Sequence, residues 1–540
     1  MEVFDKVFKN CRLLDVRGGK VKKTDIAVKD GLIAAVGADL GAGEDMGGLY
    51  ALPGFIDAHV HIESSQLTPA RFAEAVMPCG TTTVIADPHE IANVCGMDGV
   101  DFMIKDAAST PLEVKMMMPS CVPASPAESS GAVLDAQAVK DALKREDIFG
   151  LGEMMNYPGV TAGDADVLAK LAAARGAGKP IDGHFPLGSG LELAAYAAQG
   201  VTSDHECGSA DEARDKLAAG MDVFIRQGSA GKQLLDILPA VNKDNIGRFS
   251  FCTDDCHAAD ILNFGHIDHI IATAVQAGMS AADAVRMATL SPAEHYKLNC
   301  GVLEEGRQAD ILFTIDLKNF KPLEVYKRGV LVAKAGKALF TAHSQVPAKV
   351  RNTLHMPPLT KEKLQLKGAA LQYALKIKAG TLNKEPVKIK DGLPKLCVAE
   401  RHKNTGRVGV CALAGYGITG GAVAVSVSHD SHNVICAGDS DKDMCLAVNS
   451  LLPMGGGVCV VEQGKVALSL PLPVAGLMSD RPAGEVAQTM TQINEFCKTR
   501  LHVSVDAEPV MTLSFLALTV IPHICLTDRG LFDVDAFCLI

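Results

Sequence analysis

Leu52-Pro53-Gly54-Phe55-Ile56-Asp57-Ala58-His59-Val60-His61-Ile62-Glu63-Ser64-Ser65 is the stretch on which the fold turns. An apolar run after Pro-Gly reads as a buried strand. Side chains on a strand alternate between faces, so His59 and His61 point the same way and could share a metal. Polar residues follow at once, as they do where a buried strand opens into a site. Two core histidines that happen to alternate would give the same short pattern, so the rest of the chain has to decide.

From about residue 51 to 300 short apolar strands alternate with Ala-rich helical stretches. Eight strand candidates stand out: GFIDAHVH, TTTVIADPHE, EVKMMMPSC, FGLGEMMN, PIDGHFP, VTSDHE, DVFIRQGS and FSFCTDD. Seven of these strand ends carry a His, Asp, Glu or Arg. Eight strands separated by helices predict a (β/α)₈ barrel, whose chemistry sits at the C-terminal strand ends. An open doubly wound sheet would need a Gly-rich phosphate loop, and none is found.

The flanks differ. Residues 1–50 alternate apolar and polar positions and predict a small antiparallel sheet with turns at Gly18-Gly19 and Asp30-Gly31. Similar strands return in GRQADILFTIDLKNF and LEVYKRGVLVAKAGKAL, so residues 1–50 plus 301–345 are expected to form one small β-sandwich domain around the 51–300 barrel. A linker near 341–360 leads to an α+β domain over 355–540. It holds strand-like runs, MTLSFLALTVI among them, and a helix at DKDMCLAVNSLLPMG.

With 540 residues the chain is too long for one core. Its net charge of −11 repels phosphate backbones and argues against nucleic acid. Sixteen Cys without a Cys-X-X-Cys pair predict reduced thiols, not a disulfide framework. MEVFDKVFKNCRLLD has no apolar signal core, and Leu513 to Leu526 is short and broken by Pro522. A cytoplasmic protein with no membrane partner is expected.

Six candidate metal ligands arrive in chain order from separate strands: His59, His61, Glu153, His184, His205 and Asp254. Imidazole with carboxylate suits Mn²⁺, Fe²⁺ or Zn²⁺. Six ligands exceed one open site and suit two ions, with Glu153 as the natural bridge. Asp254 could bind one ion and also accept a proton from the attacking water.

LPGFIDAHVHIESS, TTTVIADPHEIANVCG, GLGEMMNYPGV, IDGHFP, TSDHE and FCTDD, with HDSHN far downstream, resemble the adenine deaminases of the amidohydrolase superfamily nearly end to end. Most dinuclear amidohydrolases with a bridging group use a carboxylated Lys on the fourth strand, where this chain has Glu153. The resemblance implies hydrolysis of adenine to hypoxanthine and ammonia, by a hydroxide held between two divalent ions, most often manganese or iron. It implies purine salvage or catabolism, with adenine and water as the small-molecule partners, and a homo-oligomer, expected as a dimer. A carboxylic acid must protonate the purine ring. Glu90 is the first choice and Glu206 the second. Asp87 would orient the pocket or a ligand histidine, and Arg226 would hydrogen-bond the purine. His429 and His432, in HDSHN, are expected to close over the barrel mouth and touch substrate. The alternatives are a dihydroorotase-like cyclic-amide or cyclic-amidine hydrolase, against which Glu153 argues, and an inactive scaffold, which should have lost ligands.

Overall fold

A computed structural model describes residues 3–378 and 383–540. The barrel strands are β1 (Phe55–His61), β2 (Thr81–Ala86), β3 (Glu113–Met118), β4 (Gly150–Met154), β5 (Ile181–Gly183), β6 (Ser203–Asp204), β7 (Asp222–Arg226) and β8 (Phe249–Cys252). Strands β1 to β5 pair in parallel, and β6, β7 and β8 form a second parallel run beside β5. The ring closes just past β8, where Asp254–Asp255 pairs with Val60 and His61 of β1. Asp57 fastens this seam. Its carboxylate accepts the Thr253 N–H at 3.0 Å and the Thr253 hydroxyl at 2.5 Å.

Every residue of β1 and β2 is buried, as expected of parallel strands covered on both faces. The covering helices start on local signals. Asp164 caps Ala165–Gly176 by accepting the Val167 N–H, and Ser209 does the same for Ala210–Ala218 at Glu212. Val167, Leu171 and Ala174 then fall on one face of their helix and are buried.

Strands from both flanks join one nine-stranded sheet, linked where Tyr50–Pro53 pairs with Ile311–Thr314. The expected turns are present, with Gly19 and Gly31 at φ +68° and +75°. The N-terminal part is not wholly antiparallel, however. Glu44–Asp45 and Tyr50–Pro53 run parallel to Lys6–Asp15, because the chain loops back across the sheet before entering the barrel. The ring of Phe8 lies 4.7 Å from that of Tyr326, three strands away. A flat sheet would hold those strands about 14 Å apart, so this one curls over its own core.

The C-terminal region is an eight-stranded sheet, in the order Lys384–Lys388, Tyr373–Ile377, Val408–Ala414, Lys395–Ala399, Val434–Gly438, Gly421–Val425, Gly457–Glu462 and Lys465–Pro471. Helix Asp441–Leu451 covers one face and buries Met444, Ala447, Val448 and Leu451. One expectation fails. MTLSFLALTVI is not a strand: Pro509–Ser514 is a helix, followed by turns up to the strand Ile524–Thr527. Pro509 presets the first helical turn, and a short run buried on all sides carries no period that separates helix from strand. All sixteen cysteines are free thiols. No helix among the described residues is long and apolar enough to cross a membrane.

Candidate active site

Alternation along β1 turns His59 and His61 inward, with their Nε2 atoms 3.1 Å apart. Glu153, near the end of β4, stands between imidazoles. Its Oε2 lies 2.7 Å from His184 Nδ1 and 3.1 Å from His205 Nε2, and its Oε1 lies 3.4 Å from His61 Nε2. Asp254 Oδ1 is 3.2 Å from His61 Nε2 and 3.4 Å from His59 Nε2. Asp254 itself has φ +58°, which an aspartate tolerates better than most residues.

These residues fit a metal. His61 Nδ1 faces the Asp87 carbonyl oxygen at 3.0 Å, so Nδ1 must carry a proton there. In the neutral ring, Nε2 then presents a bare lone pair to two carboxylates. Only a further proton or a cation makes that arrangement attractive. Five ligand sets converge among the described residues, and three of them are built from the predicted ligands alone: His59, His61 and Glu153; Glu153, His184 and His205; His59, His205 and Asp254. Glu153 belongs to two of these three. The mixed donors suit a borderline divalent ion. Burial alone would push the Glu153 carboxyl up, but His184 and His205 hold it well below its usual range. Arg226, His59 and His61 likewise outweigh burial at Asp254.

Asp87 lies behind the ligands. Its Oδ2 accepts the Glu153 N–H at 2.8 Å, while its own carbonyl fixes His61. This close approach needs Gly152, since a Cβ there would lie 2.1 Å from Asp87 Oδ2. Burial, then the neighbouring Glu153, raises the Asp87 carboxyl to about 7.

Glu90 sits in the first turn of helix His89–Cys95. Its Oε1 accepts from Ser64 Oγ at 3.2 Å and faces His429 Nδ1 at 3.2 Å, while Oε2 has no protein partner. Glu206 is differently placed. Both its oxygens pair with the Arg226 guanidinium, which also reaches Asp254 Oδ2 at 3.1 Å and Gln233 Oε1 at 3.1 Å. Arg226 thus joins two acidic residues at the mouth.

His429 and Asp430 come from the loop between Gly421–Val425 and Val434–Gly438. The His429 N–H donates to the Ser514 carbonyl at 3.1 Å, and its ring stacks on Phe515 with centroids 4.4 Å apart. His432 Nδ1 accepts the Ser428 N–H at 3.2 Å, which leaves Nε2, buried and unpartnered, close to Glu90 and His429. His432 backs the wall and His429 lines it. The resulting cavity is about 550 Å³, inside the ~300–1,000 Å³ range of small-molecule sites. His61, Glu90, Glu153, His184, Glu206, Arg226 and Asp254 line it from the barrel, and His429, Asp430, Phe515 and Leu518 from the C-terminal region.

Sequence reasoning missed His89, whose Nδ1 has no hydrogen-bond partner and lies 3.3 Å from Glu153 Oε1. It also missed Asp430 and Asp255, the latter 2.5 Å from Ser64 Oγ. All three lie inside motifs already quoted, ADPHE, HDSHN and FCTDD, so the motif was visible and the role was not. Phe515 and Leu518 carry no such signal.

The profile of the amidohydrolase family matches residues 50–332, and that of the adenine deaminase C-terminal domain matches residues 366–538. The chain is similar to adenine deaminase of Nitratidesulfovibrio vulgaris (strain Hildenborough), at 46% identity over 99% of this chain and 95% of that protein. It is also similar to adenine deaminase 2 of Carboxydothermus hydrogenoformans, at 43% identity over 99% and 96%. Adenine deaminase of Clostridium acetobutylicum is 41% identical over 98% and 96%.

Proposed function

The chain belongs to the adenine deaminases of the amidohydrolase superfamily, and from that membership we infer that it hydrolyses adenine to hypoxanthine and ammonia. The observation that carries the reading is Glu153. Its two oxygens reach separate imidazole groups on the floor of a cavity whose other wall is the adenine deaminase C-terminal domain.

His59, His61, Glu153, His184, His205 and Asp254 would hold two divalent ions, Mn²⁺ in our reading, with Fe²⁺ or Zn²⁺ as alternatives. Such ions supply a water whose pKa is lowered to near neutrality. Asp254 takes the proton of that water and returns it to the departing amine. Glu90 delivers a proton to the ring nitrogen beside the amine-bearing carbon. Its unpartnered Oε2 and its place on the cavity wall support this role. Glu206 is the weaker acid candidate, because both its oxygens already pair with the Arg226 guanidinium while Glu90 Oε2 is free. Burial raises both carboxyls, but His429 outweighs it at Glu90 and Arg226 at Glu206, so both lie below their usual range and position, not acidity, separates them. Asp87 orients Glu153 and His61. His429, stacked on Phe515, excludes water and contacts the purine, and His432 supports it from behind.

We further propose that residues 1–50 with 301–345, residues 51–300 and residues 355–540 are the three domains, that the protein is a homodimer, and that it works in the cytoplasm. The sixteen free thiols support the last point.

The test is turnover in the presence of Mn²⁺. Adenine should yield equal amounts of hypoxanthine and ammonia, and adenosine should be at least about 10²-fold poorer in kcat/KM. Equal turnover of the two, or none of adenine, overturns the reading.

A further inference from the structure

The cavity has a roof as well as a floor. Helix Pro509–Ser514 and the turns after it lie over the barrel mouth, where Met511, Phe515 and Leu518 pack together against Ala230 from the loop after β7. Phe515 and Leu518 face the cavity, and Phe515 also stacks on His429. The roof helix ends at Phe515, and the last carbonyls of any helix lack donors from within it.

Lys384 adds a donor at the Phe515 cap and another at Leu518 in the turn beyond it. Its Nζ lies 3.2 Å from the Phe515 carbonyl oxygen and 3.2 Å from that of Leu518. Lys384 is the first residue of the edge strand Lys384–Lys388 and has no exposed surface. Other buried lysines here are matched by carboxylates, Lys216 by Asp204 and Lys327 by Asp310 and Glu113. Among the described residues no carboxylate pairs with Lys384. Burial accordingly lowers its ammonium to about 8. A buried charge held only by neutral carbonyls is costly, and a methionine would fill the same space without that cost. The two carbonyls are therefore what the ammonium is kept for. A cation at a helix C-terminus is also well placed in the helix field.

We propose that Lys384 is a positioning residue for purine binding: by tying the Phe515 and Leu518 carbonyls to the edge of the C-terminal sheet, it keeps the roof closed against His429 and over the ring. This rests on the adenine reading above. The roof lies across the cavity from the metal ligands, so its contacts are made equally before and during the chemistry. Loss of such contacts raises KM and leaves kcat nearly unchanged.

Lys384→Met and Lys384→Arg test it in the full-length, Mn²⁺-loaded protein. Wild-type turnover of adenine is measured first, so failure of the activity reading shows separately from failure of this one. Lys384→Met should raise KM for adenine roughly tenfold, with kcat within about threefold, and Lys384→Arg should recover most of the loss. Hydrogen exchange, which needs no activity, should speed up in residues 511–522 of Lys384→Met and stay unchanged in β1 to β4. If Lys384→Met does not fold, Leu518→Ala should give the same KM rise. Unchanged exchange in the roof, a wild-type KM in Lys384→Met or Leu518→Ala, or a fall in kcat alone overturns the proposal.

Discussion

The two walls of the active-site cavity are built by opposite means. On the barrel side the candidate ligands sit at or just past the ends of regular strands, and strand geometry aims them. His59 and His61 face inward because they are two residues apart on β1, and Glu153 stands beside them because β4 lies in the same parallel sheet. On the C-terminal side the lining comes from loops and a six-residue helix, which have no ladder to hold them. Buried cations bonded to backbone oxygens do that work. Lys384 holds Phe515 and Leu518, and Arg401, fully buried, donates to the His432 carbonyl, to the Ala475 carbonyl at 3.0 Å and to Thr353 Oγ1 at 3.4 Å. A regular scaffold fixes chemistry through register. An irregular lid needs its own internal braces.

The largest effect that would sharpen this contrast is expected at the floor. Glu153→Ala removes the carboxylate common to two of the ligand sets built from the predicted ligands, so adenine turnover should fall by roughly 10³-fold or more, with metal content below wild type. Elemental analysis beside a rate assay checks it, and a variant that keeps its full metal content breaks the bridging role. Next comes the acid. Glu90→Gln retains shape but cannot deliver a proton, so kcat should fall about 10²-fold while metal stays bound. Glu206→Gln should cost less, and the reverse order would move the acid to Glu206.

The smallest effect lies at the join between the two walls. His257 follows the last barrel strand, and its Nδ1 is 3.0 Å from Glu508, which leads into the roof helix. Burial opposes both charges, yet Glu508 raises the imidazole above its usual range and His257 lowers the carboxyl below its own. The histidine's contribution is complete below the unfolded value near 6.5 and disappears as pH rises through the raised folded value. The glutamate's is present above about 4.5 and disappears as pH falls through the lowered one. Near pH 6, therefore, His257→Gln should cost about 1 kcal/mol or less, since Glu508 is partly in water, and the gap should close in alkali. Denaturant midpoints across pH would show it, and a gap that widens in alkali contradicts the pairing.

How much of this was legible in the sequence follows from the same contrast. The strand pattern pointed to the six candidate ligands, which the structure brings together, because period-two alternation and polar strand ends are local signals. The curled flank sheet was readable as strands, but its parallel pairings depend on a loop that doubles back. Asp87 is expected from the sequence to orient the pocket or a ligand histidine; its carbonyl faces His61, and its carboxylate also braces Glu153, a contact that the glycine at 152 on another strand allows. Arg226, expected to hydrogen-bond the purine, lines the cavity, and its contacts with Glu206 and Asp254 are a role that only the fold shows. Helix Pro509–Ser514 read as a strand because its run is apolar throughout. Lys384 gave no signal at all: a lysine in KEPVK reads as solvated, and only tertiary contact shows it buried.

The central claim is that one carboxylate, Glu153, joins two metal sites in an adenine-hydrolysing centre. The most direct test strips the protein of metal with a chelator and titrates Mn²⁺ back while hypoxanthine release is followed. Activity should be negligible at the start and rise to a plateau at two ions per chain. Full activity at one ion per chain, or activity that survives the stripping, would contradict the account.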